Sequence, residues 1–388
     1  MITNRFIIIP FVVDFNWSTD YQWQTALELS RHNLVTAYCE YKRIKLSDVI
    51  RRKKKIPHIL TMYHGVFFYT PIDVLPFVRF AVIKRINGFL NHLILVTMLR
   101  INPYRRKIIL WGFHPGIAVT ERYYPFPHMS VYDCVDYYSS LLPDHEQIIR
   151  QQEQYIMRNF SVMTVNSNTL YRLHKADRPD AAIVPLGFSP PLPIRRPVFR
   201  RDHVARPVIG YIGGLNYRLD FVLLHDLIRR NSQWDFVFWG PILTDGQDVI
   251  THTNTNLHQL LSLPNVRHGH AINQRDLFAV LRSFSVCIIP YNTSYQLNAA
   301  SYPAKLMEYF YAGKPIVSTA IAEAGKFVKY VRIGKTVQDW ESHISAWLHT
   351  SFPASYRRQQ RHIAMQNSWK NKIDAVSDVI ERYERAHD

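Results

Sequence analysis

Residues 301–319 read SYPAKLMEYFYAGKPIVST, and the fold class turns on this stretch. Pro303 suits the first turn of a helix, where a missing N–H is no loss. Gly313 suits the left-handed position after the last turn, and Pro315 stops the helix from continuing. The run Ile316-Val317-Ser318-Thr319 then reads as a short buried strand. Inside the helix, Lys305 and Glu308 stand three residues apart and share a face. A lysine at a helix N-terminus is a ready anion site, and a carboxylate one turn on accepts hydrogen bonds from a pair of sugar hydroxyls. The same pair reads equally as a surface ion pair on an ordinary amphipathic helix, so the rest of the chain has to decide.

The chain has 388 residues, which favours two or three domains with real cores. Lys and Arg number 47 against 30 Asp and Glu, a net charge of +17. Such a charge suits nucleic acid, an anionic membrane face, or phosphorylated substrates. The three cysteines, Cys39, Cys134 and Cys287, form no CxxC. That argues against a disulfide scaffold or a zinc ribbon and fits a reducing cytoplasm. The opening MITNRFIIIPFVVDF lacks a basic segment and a cleavage site, so it reads as a strand rather than a signal peptide. The longest apolar run, FLNHLILVTML at 89–99, is too short to span a bilayer.

In chain order, strands are expected at 6–13, 34–39, 58–63, 66–69, 107–111, 129–134, 161–165 and 182–186. Helices are expected at 21–31, 76–100 and 144–159, with a polar loop over 42–55 that holds Arg51-Arg52-Lys53-Lys54-Lys55. The 76–100 helix is basic and greasy; it reads as core-packed, with a membrane-surface helix as the alternative. PPLPIRRPVFRRDHVARP, at 190–207, is rich in proline and arginine and reads as a linker. The pattern restarts with strand 207–212, the Gly213-Gly214 turn and a helix at 217–230. Strands 235–239, 266–268 and 286–290 follow, with helices at 257–261, 274–284, 339–348 and 356–385. Strands alternating with helices mean parallel sheets, so the expected fold is α/β: two Rossmann-like domains with a cleft between them. The divisions are 1–189, a linker 190–206, 207–349, and a C-terminal helical piece 350–388 packing back toward the first domain.

Gly213-Gly214 is not a full dinucleotide fingerprint. The turn is either a short connection or a place where backbone approaches a phosphate, with Arg218 within reach of the same anion. There is no HExxH, no DxD and no GxSxG, so neither a metal nor a nucleophilic serine is expected. His114, Asp133 and Asp136 fall at strand ends of the first half, where a general base would lie; each fits a loop hydrogen bond as well.

The series PVIGYIGGLNYRLD, WDFVFWGP, LPNVRHGH, SFSVCIIPY and PAKLMEYFYAGKPIVST closely resembles the donor domain of GT-B glycosyltransferases of the family-4-like group. Within it, the chain looks most like enzymes of bacterial surface polysaccharide synthesis, the teichuronic-acid type. The resemblance is strong over 207–319 and looser before it. It implies that Lys305 faces the diphosphate of a nucleotide-sugar and Glu308 holds the ribose. Gly213 and Gly214 would lie beside the phosphates, with Arg218 as a second cation, and the loop from His268 would lie near the nucleobase. On the acceptor side it implies the loop with Asn16 and Trp17. His114 matches the histidine of retaining members, and Asp136 or Asp133 would serve as base in an inverting enzyme. Two positions depart from the pattern: Ala300 stands where many members have a glutamate, and Leu186-Gly187 where asparagine-glycine is usual.

The expected function is glycosyl transfer from a nucleotide-sugar to a saccharide or lipid-linked saccharide acceptor, without a metal or other cofactor. The expected location is cytoplasmic, peripheral at the inner face of an anionic membrane. A nucleotide-sugar 2-epimerase is the alternative on this architecture. A basic nucleic-acid-binding protein is a weaker one, because the charge is scattered and no recognition module is present.

Overall fold

A computed structural model describes residues 1–11, 21–52, 58–100, 107–124, 126–140, 145–190, 206–243, 249–272 and 274–387. The chain divides into two compact units. The first comprises Met1–Asn166, Leu170–Pro185 and Trp369–Asp388; the second comprises Ser167–Thr169 and Leu186–Ser368. Most of the expected linker, residues 191–205, lies outside the described residues.

The first unit carries β1 (Phe6–Phe11), β2 (Leu34–Cys39), β3 (Ile44–Lys45), β4 (Leu60–Tyr63), β5 (Val66–Tyr69), β6 (Ile72–Asp73), β7 (Ile108–Gly112), β8 (Met129–Cys134), β9 (Val162–Val165) and β10 (Ala182–Ile183). Eight of them form one sheet in the order β10-β9-β8-β7-β1-β2-β5-β4, and β3 pairs with β6. Strands β1 and β7, FIIIPF and IILWG, are buried throughout, as centre strands of a parallel sheet covered on both faces must be. The sheet is parallel except at β4, which pairs antiparallel with β5. His64 and Gly65 turn the chain there with φ of 50° and 82°, the two positive angles of a primed hairpin turn. The order reverses between β1 and β7.

The second unit carries β11 (Val208–Ile212), β12 (Asp235–Trp239), β13 (Val266–Gly269), β14 (Val286–Ile289), β15 (Ile316–Ser318) and β16 (Val331–Ile333). All are parallel, in the order β13-β12-β11-β14-β15-β16. This is the Rossmann order, and it reverses between β11 and β14, where ligands sit beyond the carboxyl ends of the strands. Both ends of this unit meet: the Phe188 N–H donates to the Asn367 carbonyl at 2.7 Å.

Several elements differ from expectation, among them four helical stretches. The helix after Gly213-Gly214 is Phe221–Arg230, because the Asp220 carboxylate caps it by accepting the Leu223 N–H; Arg218 is therefore a loop residue. Residues 46–52 of the expected polar loop form the helix Leu46–Arg52. The expected helix 257–261 is longer, Val249–Leu261. The last expected helix is two, Ala354–Gln366 and Trp369–His387, and the break at Asn367-Ser368 falls where the chain passes from the second unit to the first.

The terminal helix Trp369–His387 is fastened into the first unit by more than its apolar face. Lys372, 1% exposed, lies 2.8 Å from the carboxylate of Asp133, which is fully buried and also accepts the Thr164 hydroxyl at 2.9 Å. Arg5 pairs with Glu384 at 2.8 Å. A buried pair adds little over an apolar pair of the same size, but removing one partner strands the other charge. Lys372→Met is expected to lower the unfolding free energy of the first unit by about 3–5 kcal/mol. The double variant Lys372→Met/Asp133→Asn should recover much of that. Urea unfolding followed by circular dichroism checks both, and a single variant as stable as its parent would contradict the expectation.

Candidate active site

The second unit gathers its functional side chains at the switch between β11 and β14. The helix Lys305–Tyr311 stands over it. Tyr309 pins that helix to both strands: its hydroxyl accepts the Ile212 N–H at 3.0 Å and donates to the Ile288 carbonyl at 3.3 Å. Lys305 and Glu308 are thereby held at the crevice and not on an outer surface.

Lys305 is only 8% exposed. Its ammonium donates to the Tyr291 hydroxyl and lies 4.4 Å from the Tyr291 ring centroid and 5.0 Å from that of Tyr211. Among the described residues no carboxylate comes within ion-pair distance of it. Arg218 approaches Tyr291 with its guanidinium 5.0 Å from the ring centroid, and its Nε–H donates to the Asn298 side-chain oxygen at 2.7 Å. Asn298 in turn donates to the Arg218 carbonyl at 2.9 Å, locking the loop. Burial alone would raise the Tyr291 phenol, but Lys305 and Arg218 outweigh it and bring its pKa below the usual tyrosine value. Burial drives Tyr211 in the opposite direction, far above that value. Two cations thus meet at one aromatic ring.

Glu308 is half-buried, and no described side chain or backbone group hydrogen-bonds its carboxylate. Burial raises its pKa, and Lys305 offsets part of that. Gly213 has φ of 139°, and a Cβ there would stand 3.1 Å from Cε of Lys305. Gly240, at the end of β12, has φ of 144°, and its Cβ would fall 2.1 Å from the Gly213 carbonyl oxygen. Only glycine at both positions lets the two loops pack backbone to backbone and leaves the Lys305 side open. The Gly214 carbonyl is held by the Tyr211 hydroxyl at 3.2 Å. His268 lies at 2.9 Å from the Gly240 carbonyl through Nε2, so its ring braces this glycine loop.

In the first unit, His114 follows β7, beside the other switch point. Its Nδ1 accepts the Gly116 N–H at 3.0 Å, so the neutral ring carries its proton on Nε2. Burial lowers its pKa, and in the neutral ring Nε2 is the donor. Asp133 is withdrawn from solvent altogether and engaged by Lys372 and Thr164, so it is a structural carboxylate rather than a base. Asp136, two residues beyond the end of β8, is half-buried. Asn16 and Trp17 lie outside the described residues. A cavity of about 380 Å³ lies on this unit's sheet, lined by Ile8, Tyr38, Lys84, His92, Ile117 and Tyr124 among others.

Tyr211, Tyr291 and Asn298 were not singled out from sequence. Tyr291 carried a signal, since it follows Pro290 at the end of an apolar run; Asn298 carried none. Among the described residues no cluster of three or more His, Cys, Asp and Glu could hold a metal ion.

With two Rossmann-like units, each reversing strand order at its centre, the chain has the GT-B fold. It is 26% identical over 287 residues to TuaH of Bacillus subtilis, named as a candidate glycosyltransferase of teichuronic acid biosynthesis, covering 68% of this chain and 69% of that protein. Among solved structures it is similar to HepE of Anabaena in complex with UDP and glucose. There the TM-score is 0.66 at 14% identity, covering 97% of this chain and 99% of that one. It is also similar to an α,α-trehalose-phosphate synthase of Burkholderia xenovorans in complex with glucose-6-phosphate. That match has a TM-score of 0.64 at 12% identity, covering 97% and 100%. No protein-family model matches the chain.

Gly213→Ala is expected to push Lys305 aside and weaken nucleotide binding at least tenfold, while the sheet stays folded; calorimetric titration with a nucleoside diphosphate reads this. Tight binding by the variant would remove Gly213 from the site.

Proposed function

We propose that this chain transfers a sugar from a nucleoside-diphosphate sugar to a saccharide or lipid-linked saccharide acceptor during assembly of a surface polysaccharide. One observation carries the reading of the donor: among the described residues no carboxylate stands within ion-pair distance of the buried Lys305 ammonium, at the switch point of a Rossmann sheet. An unpaired buried ammonium is costly, and a diphosphate supplies what it lacks. Neighbouring structures hold UDP or UDP-sugars, so uridine nucleotides are the first donors to test.

As the glycosidic C1–O bond breaks, negative charge grows on the diphosphate oxygen that leaves. Lys305 and Arg218 sit where they can take up that charge, preorganised by Tyr291 and Asn298, so it needs no solvent reorganisation. Glu308 accepts hydrogen bonds from the ribose hydroxyls. Gly213 and Gly214 allow the phosphates to approach the backbone. The loop from His268 borders the base, with the ring itself occupied by Gly240. His114 donates through Nε2–H to an oxygen of the sugar or acceptor, and Asp136 is the base in an inverting course. These protein cations do the work of a divalent metal, so turnover is expected to survive a chelator. TuaH's assignment supports a surface-polysaccharide acceptor, and the +17 charge fits work at the inner face of an anionic membrane.

Lys305→Ala and Glu308→Ala are each expected to lower turnover at least a hundredfold with the fold intact, measured as nucleoside diphosphate released from a panel of nucleotide-sugars with and without acceptor. Near-parental activity in both would overturn the assignment. Release that depends on acceptor marks a transferase; an isomerised donor without release would mark an epimerase. A pH dependence follows from Glu308. The carboxylate is the form that accepts from ribose, and its pKa is raised by burial. Donor KM should therefore climb on acidification earlier than an ordinary glutamate would dictate, and Glu308→Gln should remove that dependence while weakening binding at every pH.

A further inference from the structure

The helix Ala81–Met98 buries polar residues beside Leu95 and Val96. Its buried residues include Asn87, Asn91 and His92. Asn91 spends its amide on the Ile72 backbone, accepting its N–H at 2.7 Å and donating to its carbonyl at 2.8 Å. It also accepts the Tyr69 hydroxyl at 2.8 Å. Asn87 does the same with Leu75, at 2.9 Å both ways. The opposite face presents Val82, Ile86, Phe89 and Leu93 to solvent, at i, i+4, i+7 and i+11, in one stripe. Val82 is 68% exposed and Leu93 49%, and the turn before the helix adds Phe77 at 68% and Phe80 at 52%. Scattered exposed apolar residues are ordinary, but a contiguous stripe on one helix marks a contact surface.

The charge of the same segment is one-sided. From residue 74 to residue 120 there is no Asp or Glu, while Arg79, Lys84, Arg85, Arg100, Arg105 and Arg106 are all basic; Lys107, also basic, pairs with Glu384. Arg79 stacks on Phe80 at 4.9 Å, and Arg85 flanks the stripe, exposed. An apolar stripe with flanking cations and no carboxylate suits the boundary of acyl chains and anionic headgroups. Among the described residues no helix is long and apolar enough to cross a membrane, so the contact is one of lying on the surface.

We infer that the helix Ala81–Met98 docks its Val82–Ile86–Phe89–Leu93 face on an anionic phospholipid bilayer. The geometry stands without the transferase reading; its purpose, bringing the chain to a lipid-linked acceptor, rests on it. The test is sedimentation of the full chain with vesicles of phosphatidylcholine alone and of phosphatidylcholine with phosphatidylglycerol. The expected result is binding to the mixed vesicles, little to the neutral ones, and loss of binding as salt rises. Arg79→Gln/Arg85→Gln should reduce partitioning about thirtyfold. Val82→Ser/Ile86→Ser/Leu93→Ser should abolish it with an unchanged melting temperature. Failure of the parent to bind mixed vesicles, or equal binding by the triple serine variant, overturns the inference. So does light scattering that finds a dimer in the parent and a monomer in that variant, since a second copy would then cover the face. Donor turnover with a water-soluble saccharide, assayed without vesicles, reports on the transferase reading separately.

Discussion

An ammonium held out of water with a phenol for its partner governs the second unit. Burying a charge that lacks a counter-ion costs several kcal/mol, so everything near Lys305 works to keep it in place. Tyr291 and Tyr211 offer ring faces that lower the cost, Tyr309 ties its helix to the two strands at the switch, and glycines at 213 and 240 let two loops pack backbone to backbone next to it. A carboxylate nearby would relieve the strain on the fold and cancel the attraction for a diphosphate. Among the described residues none stands within ion-pair distance, and to that constraint the tyrosines, the asparagine and the glycines are fitted.

Much of this architecture was legible in the amino-acid order. Apolar runs bounded by turn residues, such as FIIIPF and VIGYI, can satisfy their backbone only in a covered sheet, and both became central parallel strands. The pairing of Lys305 with Glu308 on one helix was equally plain from spacing. The partners that give the pair its meaning were not. Tyr291 and Asn298 reach the site through folds of loop that no local period announces. Arg218 was placed inside a helix because Asp220 was not read as its cap.

Asp133 and Asp136 illustrate the limit more sharply. Both stood near the end of one strand and looked equivalent as bases. Asp133 belongs to β8 and is neutralised by a lysine 239 residues further along, a relation invisible to any window of sequence. The composition of the helix Ala81–Met98 suggested a core-packed element, and it does pack, through Leu95 and Val96 and also through two asparagines that partner the Ile72 and Leu75 backbone groups.

The hydrogen bond between Phe188 and Asn367 has a topological consequence. Apart from three residues, the whole second unit is a single uninterrupted span, Leu186–Ser368, whose entry and exit are clasped side by side. The first unit, by contrast, is assembled from both ends of the chain, with the Met1 ammonium 3.7 Å from Asp374. In genetic terms the protein is one Rossmann module spliced into another. The inner module is laid out to be excised or exchanged as a cassette, whereas trimming residues 369–388 would damage the module that opens with β1.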